Sequence, residues 1–312
     1  MVTVTVENTK LLTRLGPQPV QGVSMANVAL LRLDRLDSLA PGNKLFKLQP
    51  VLRRARGEGV RRIVSFGGAW SNHLHALAAT GAEQGLETVG IVRGDDTQGD
   101  TAMLADARAW GMKIVRISRS DYRRRHDHGF LAEIERRYRP CLLVPEGGAS
   151  ADGLRGCQAI VGLIRGSGST AHRIILPVGT GTTLAGVVAG LPAGHEVIGI
   201  SALRGASDLE ARVSSALQAL EQHNEASHGA RWRILHRDHC GGFARVSREL
   251  KEFMLAFEAA HGVALEPVYT GKMLLAIQRR LASGEWCAER PLLAIHTGGL
   301  QGRRGYPWLA SG

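Results

Sequence analysis

The sequence predicts an α/β protein made of two parallel-sheet, three-layer domains, and three observations predict it. Strand-length runs of Val, Ile and Leu alternate with amphipathic stretches of helical length. The alternation comes in two series, divided near the glycine-rich PEGGASADGLRG at 145–156. The chain has 312 residues, 44% of them hydrophobic, which suffices for one large or two medium domains with sizeable cores.

In the first series RRIVSF (61–66) precedes a helix expected from about Asn72 to Gln84, and ETVGIVR (87–93) one from about Gly99 to Trp110. KIVRIS (113–118) is followed by the helical FLAEIERRY (130–138) and the strand-like CLLVP (141–145). The second series opens with HRIILPV (172–178), a helix near 182–190 and EVIGIS (196–201). Helices are expected near 207–223, 246–261 and 272–283, and the strand PLLAIH (291–296) closes the series. Such alternation needs right-handed crossovers, which lay helices on both faces of a parallel sheet. Two series imply two sheets with a cleft between them.

Composition narrows the function. No run of about eighteen apolar residues occurs, so no membrane-spanning helix is expected. The opening MVTVTVENTKLLTRLG lacks a charged region followed by an apolar stretch, so no secretory signal is expected. Cys141, Cys157, Cys240 and Cys287 form no C-x-x-C pair, which argues against zinc and disulfides and suits the cytoplasm. Each is read as a small buried hydrophobe. The net charge of +11 raises nucleic-acid binding. Yet clusters such as DYRRRHDHGF (121–130) and EIERRYRP (133–140) are broken by acids, as on solvated helix faces. With no zinc-finger spacing, ribonucleoprotein motif or basic tail, nucleic acid is not an expected partner, and the basic field suits anionic small molecules. His126 and His128 have no third ligand in view, so no metal is expected.

Six lysines stand against thirty-three arginines, and two of the six, Lys44 and Lys47, fall in PGNKLFKLQP (41–50). Arginine stays protonated, whereas a lysine can act as an amine nucleophile once burial or a cationic neighbour lowers its pKa. One of the two is therefore a candidate for chemistry. Further along, PVGTGTTLAGVVAG (177–190) joins a strand to a helix, and residues 179–183 are all Gly or Thr. Small residues let backbone N–H groups approach an anion at a helix N-terminus. Leu184 replaces the third glycine of a dinucleotide fingerprint, and no Gly-Lys-Ser/Thr follows as in a P-loop. What remains is a cup for one phosphate monoester, or else only a tight turn. A reactive lysine and such a cup are the minimum kit for pyridoxal 5′-phosphate (PLP), whose aldehyde condenses with an amine.

GNKLFKL, FGGAWSNH, PEGGAS with its following GL.G, GTGTTLAG, LEPVYTGKM and HTGG occur in that order. Together they resemble the fold-type II PLP enzymes that include 1-aminocyclopropane-1-carboxylate (ACC) deaminase and D-cysteine desulfhydrase, over about residues 40–306. The resemblance implies a large PLP-binding domain of residues 1–47 and 155–312, a small domain of residues 48–154, PLP in the cleft between them, and a homodimer. It makes Lys44 the Schiff-base lysine, with Lys47 a basic neighbour. It places Asn72 on the PLP 3-oxygen, with Ser71 and His73 facing the substrate carboxylate. Gly179, Thr180, Gly181, Thr182 and Thr183 would hold the phosphate. Tyr269 would lie beside the cofactor, Thr270 at the pyridine nitrogen, and Thr297 and Gly298 would close the pocket. Taken singly, Lys47 reads as a surface salt-bridge partner, Ser71 as an N-cap, His73 as a satisfied helix residue and Tyr269 as a strand aromatic.

The implied activity is a lyase or deaminase acting on a small amino acid. A neutral Thr270 at the ring nitrogen limits carbanion delocalisation and suits elimination, and ACC deaminase has a Glu there. D-Cysteine desulfhydration is the expectation that follows. Two residues depart from the family. Trp70 stands where Gln is usual before SNH, and Phe243 of HCGGFARV (239–246) stands where a second tyrosine is usual. Both line the expected substrate side, and Phe243 can neither donate nor accept a proton, which tells against ACC ring opening. Serine dehydration, β-replacement of the cysteine-synthase kind, ACC deamination, and a PLP-binding member without turnover remain open alternatives.

Overall fold

The computed structural model describes residues 11–95, 99–222 and 229–309. The first ten residues, part of the stretch read for a secretory signal, and residue 223, the expected end of one helix, lie outside the described residues. The chain forms two compact units: Met1–Asp37 with Cys157–Leu300, and Ser38–Gly156 with Gln301–Gly312. Residues 38–47, 155–156 and 301–312 thus group with the smaller unit, where the sequence reading expects them in the larger.

The larger unit holds a six-stranded sheet. β1 (Leu12–Arg14) pairs antiparallel with β2 (Val28–Arg32) at one edge. β7 (Arg173–Val178), β8 (Glu196–Ser201), β9 (Arg231–Leu235) and β10 (Leu292–His296) join in parallel, giving the order β1-β2-β10-β7-β8-β9. β2 and β10 are buried at every residue, as a strand covered on both faces must be. Pro177 sits inside β7, but β10 pairs only with Arg173–Ile175, so the residue lacking an N–H falls where β7 has a single partner strand.

The smaller unit holds a four-stranded, wholly parallel sheet, formed by β3 (Arg62–Gly67), β4 (Glu87–Arg93), β5 (Lys113–Ile117) and β6 (Leu142–Val144) in the order β5-β4-β3-β6. Successive strand residues point to opposite faces, and two cores result. Ile63 and Val92 pack with Leu48, Val51 and Leu52 of α1 (Asn43–Gly57), with Leu74 and Leu77 of α2 (Asn72–Gln84) and with Leu104 of α3 (Ala102–Ala109). Val64, Phe66, Val89 and Ile91 face the other way, onto Tyr122 of α4 (Arg119–Arg123) and Phe130, Ile134 and Tyr138 of α5 (His128–Tyr138).

α6 (Ala151–Gly166) follows the glycine-rich segment, and its start packs on α1. Pro50, inside α1, has no N–H to give the Phe46 carbonyl four residues earlier. Gly156 presses onto that carbonyl so closely that a Cβ would stand 1.8 Å from the oxygen. Six residues further along α6, Gly162 has nothing within 4 Å of the same position.

Two glycines of one helix therefore answer alanine in opposite ways. Gly156→Ala meets backbone that cannot yield and should lower stability by about 1–3 kcal/mol or more. Gly162→Ala should raise it by about 0.5–1 kcal/mol, because alanine loses less backbone entropy in a helix. Denaturant midpoints of the two variants check this; equal shifts would refute it.

Candidate active site

The smaller unit carries the lysines. Gly42, at φ 144°, turns the chain into α1, so Lys44 lies in the first turn, half-buried, with Nζ donating to Asn43 Oδ1 at 3.1 Å. Lys47 is only 3% exposed and donates to the Gly147 carbonyl at 2.9 Å. It is no surface salt-bridge partner.

α2 begins at the AWSNH segment. Ser71 is its N-cap, its Oγ accepting the Leu74 N–H at 3.2 Å. Gly67 makes room for it, since a Cβ there would meet Ser71 Oγ at 2.5 Å. The next residue, Asn72, takes a hydrogen bond from Gln301 on Oδ1 at 2.6 Å. Trp70 is partly exposed, with Gly305 against its indole.

His73 is almost fully buried. Ser65 Oγ donates to the Val144 carbonyl at 2.8 Å, which commits its proton. The contact of 2.9 Å between Ser65 Oγ and His73 Nε2 therefore runs from the imidazole N–H to the hydroxyl oxygen. Nδ1 is then an unprotonated acceptor, buried and without a partner. Burial first, and then the charges of Lys44 and Lys47, pull the His73 pKa down to about 3. The ring is neutral with its one N–H already used, so any carboxylate contact at His73 falls to its backbone N–H. Gly148, at φ 68°, closes this group: a Cβ would press on Lys47 and on His73 Cε1 at 3.2–3.3 Å.

The larger unit carries the anion cup. α7 (Thr182–Gly190) opens at Gly181, φ 86°, an N-cap residue with no side chain to cap with. The helix dipole favours an anion there. Thr182 and Thr183 are 8% and 5% exposed, and Thr180 Oγ1 lies 3.0 Å from Thr182 Oγ1. A Cβ on Gly179 would stand 3.0 Å from Tyr269 Oη, and one on Gly181 would stand 2.9 Å from Val213 Cγ2. Gly181 needs glycine for its positive φ, a Cβ on Gly179 would have to displace Tyr269 slightly, and the tyrosine hydroxyl stands at the mouth of the turn.

α10 (Thr270–Ala282) starts at the same place. Tyr269 is its N-cap rather than a strand residue, and the Phe243 ring meets Tyr269 edge-on at 6.1 Å. Thr270 is fully buried. Its hydroxyl accepts the Glu266 N–H at 3.0 Å and donates to the Glu266 carbonyl at 3.3 Å. Glu266, unassigned by the sequence reading, supplies the missing cap, taking N–H bonds from Val268, Tyr269 and Thr270 at 2.6–2.8 Å. Lys272 Nζ donates to the Gly242 carbonyl at 2.6 Å and so holds the loop bearing Phe243. Thr297 and Gly298 follow β10, where Gly298, at φ 78°, donates its N–H to His296 Nδ1 at 3.3 Å. The structure brings Gly179, Tyr269 and Phe243 together, and Lys47 and His73, within their own units.

Cysteine use is more varied than expected. Cys157 is buried, with its thiol 3.9 Å from Thr183 Oγ1, Cys141 and Cys240 are half-buried, and Cys287 is exposed; all are free. Among the described residues no cluster of His, Cys, Asp or Glu could hold a metal ion, and no helix is long and apolar enough to cross a membrane.

Each unit's residues fit a part of PLP: in the larger, a Gly/Thr turn at a helix start with buried hydroxyls suits a phosphate, and in the smaller there are an amide at Asn72 and a half-buried amine at Lys44. An α/β enzyme with two parallel sheets and this donor set is of the fold-type II class. The family model for "Pyridoxal-phosphate dependent enzyme" matches residues 8–298. The chain belongs to that family and is a PLP-dependent lyase. A Thermotoga maritima protein provisionally named 1-aminocyclopropane-1-carboxylate deaminase is 26% identical over 92% of this chain and 95% of its own length. A D-cysteine desulfhydrase of Salmonella choleraesuis is 27% identical over 83% of this chain and 82% of its own. The crystal structure of an ACC deaminase homologue superposes with a TM-score of 0.75 at 24% identity, over 93% of this chain and 89% of that one.

His73 gives a pH signature. Its pKa is depressed on folding, so the unfolded chain binds a proton between the ordinary value, 6.5, and about 3, while the folded chain does not. Stability should fall as pH drops through that window. In His73→Gln, whose amide nitrogen can still reach Ser65, the part of the slope due to His73 should vanish, which denaturant midpoints at pH 7, 5 and 4 would show.

Proposed function

We propose that this enzyme eliminates a β-leaving group from a small amino acid, with D-cysteine the best substrate, giving pyruvate, ammonia and hydrogen sulfide. The observation that carries this reading is the state of the first turn of α10. The group beside Tyr269 is the neutral, buried Thr270 hydroxyl, and the segment's carboxylate, Glu266, is spent on three backbone N–H groups. With that carboxylate engaged and the Thr270 hydroxyl bonded to the Glu266 backbone, this turn offers no acid to hold a ring nitrogen protonated, which favours expelling a leaving group over storing charge in the ring.

When bound, PLP draws electrons from the substrate α-carbon and acidifies its C–H bond. The amine of Lys44 takes that proton, as a base whose pKa must lie near working pH. The first turn of α7, with Thr180, Thr182 and Thr183, holds the phosphate. Asn72 donates to the 3-oxygen. The Ser71 hydroxyl and the N–H groups of the first turn of α2 receive the substrate carboxylate, helped by the helix dipole. Thiolate leaves the β-carbon, is protonated to hydrogen sulfide, and water releases the remainder as pyruvate and ammonia. Phe243 can supply no proton to that step, so Tyr269 is the aromatic hydroxyl proposed there. The desulfhydrase relative in Salmonella supports the substrate. A homodimer and a cytoplasmic location complete the reading.

The test is release of pyruvate and sulfide from D-cysteine by PLP-saturated protein. Lys44→Ala should abolish it, by about 10³-fold or more, and should also prevent borohydride from fixing pyridoxyl to the chain. Absence of both products from D-cysteine, in wild-type protein that borohydride does label at Lys44, would overturn the substrate assignment and leave the cofactor.

A further inference from the structure

The segment after β10 reaches the start of α2 within the smaller unit. Gln301 Nε2 lies 2.6 Å from Asn72 Oδ1 and 3.4 Å from the Trp70 carbonyl oxygen. A backbone carbonyl can only accept, so the Gln301 atom facing Trp70 is its NH2 group. The same group meets Asn72, and the Asn72 atom it meets must then be the carbonyl oxygen. The polarity of the chain from Trp70 through Gln301 to Asn72 is fixed, and Nδ2 is the edge of Asn72 left to a ligand.

The segment is held in place for this. Arg304 pairs through NH1 and NH2 with both carboxylate oxygens of Asp106 on α3, and Asp106 also meets His75 Nε2 of α2 at 3.0 Å. Gly305 lies so close to Trp70 that a Cβ would stand 3.1 Å from Cε2. Gln301 Oε1 is buried and unpaired, and turning the amide would only set that oxygen against the Trp70 carbonyl, so the NH2 stays on Trp70 and Asn72.

We infer that Gln301 is a positioning residue that turns the Asn72 amide so that it offers N–H, not carbonyl, to an anionic ligand oxygen. On the PLP reading above, on which this rests, that oxygen is the 3-oxygen of the cofactor. Gln301→Glu reverses the polarity: its carboxylate can only accept, so it captures Asn72 Nδ2 and turns the carbonyl toward the ligand.

The experiment is equilibrium dialysis of wild type, Gln301→Glu and Gln301→Met against PLP and against its 3-deoxy analogue, which lacks the oxygen. Gln301→Glu should raise the Kd for PLP about tenfold or more and change that for the analogue by less than about twofold. Gln301→Met, which removes the donor without reversing it, should give a smaller loss, again confined to PLP, and serves alone if Gln301→Glu does not fold. Equal losses for both ligands would mean a merely structural role and would overturn the inference, as would no loss for PLP. If wild type itself fails to bind PLP, or borohydride fixes it away from Lys44, the cofactor reading falls instead.

Discussion

The carboxylate of Glu266 is the interaction on which the first turn of α10 depends. It is 1% exposed, and burial pushes its pKa up, while the N–H groups of Thr270, Val268 and Tyr269 oppose that by solvating the charged form. Two of those bonds fix residues of the proposed site. The Tyr269 N–H bond sets the backbone that carries its hydroxyl to Gly179, and the Thr270 bond seats the hydroxyl at the helix start. Removing the carboxylate would leave three N–H groups without their partner at once, that of Thr270 fully buried, so its loss should cost more than one hydrogen bond.

Three helices point their first turns at functional segments, and each handles its loose N–H groups differently. α2 uses Ser71, a local cap within three residues. α10 uses Glu266, a cap from just outside the helix. α7 begins at Gly181, which has no side chain to cap with, and its buried first turn is the place proposed for the phosphate.

Much of this could be read from the sequence. The strands with long β-branched runs and the helices between them stand within a few residues of their expected places, since period and burial fix both. α1 was not legible, because Pro50 lies inside it and its apolar positions are irregular; β1, β2, β9 and α6 also lacked a clear flanking signal. Ser71 as cap followed from its type. His73 did not follow, because its tautomer is set by Ser65, whose own proton is set by Val144 on another strand. Gln301 was invisible for the same reason, since it acts on a residue 229 positions away.

The scarcity of lysine now has a physical account. Of the five described lysines, Lys113 and Lys251 are exposed, but Lys44 is half-buried and Lys47 and Lys272 are buried. Lys47 and Lys272 donate to carbonyl oxygens of glycine-bearing loops, at Gly147 and Gly242, that carry the site's turns. An ammonium is a compact point donor whose pKa responds to burial, whereas a guanidinium stays charged. Burial lowers the Lys272 pKa, and the charge of Lys47 helps keep His73 neutral. Lys47 and Lys272 thus serve the interior as small cations on single carbonyl oxygens, and arginine carries most of the rest of the positive charge.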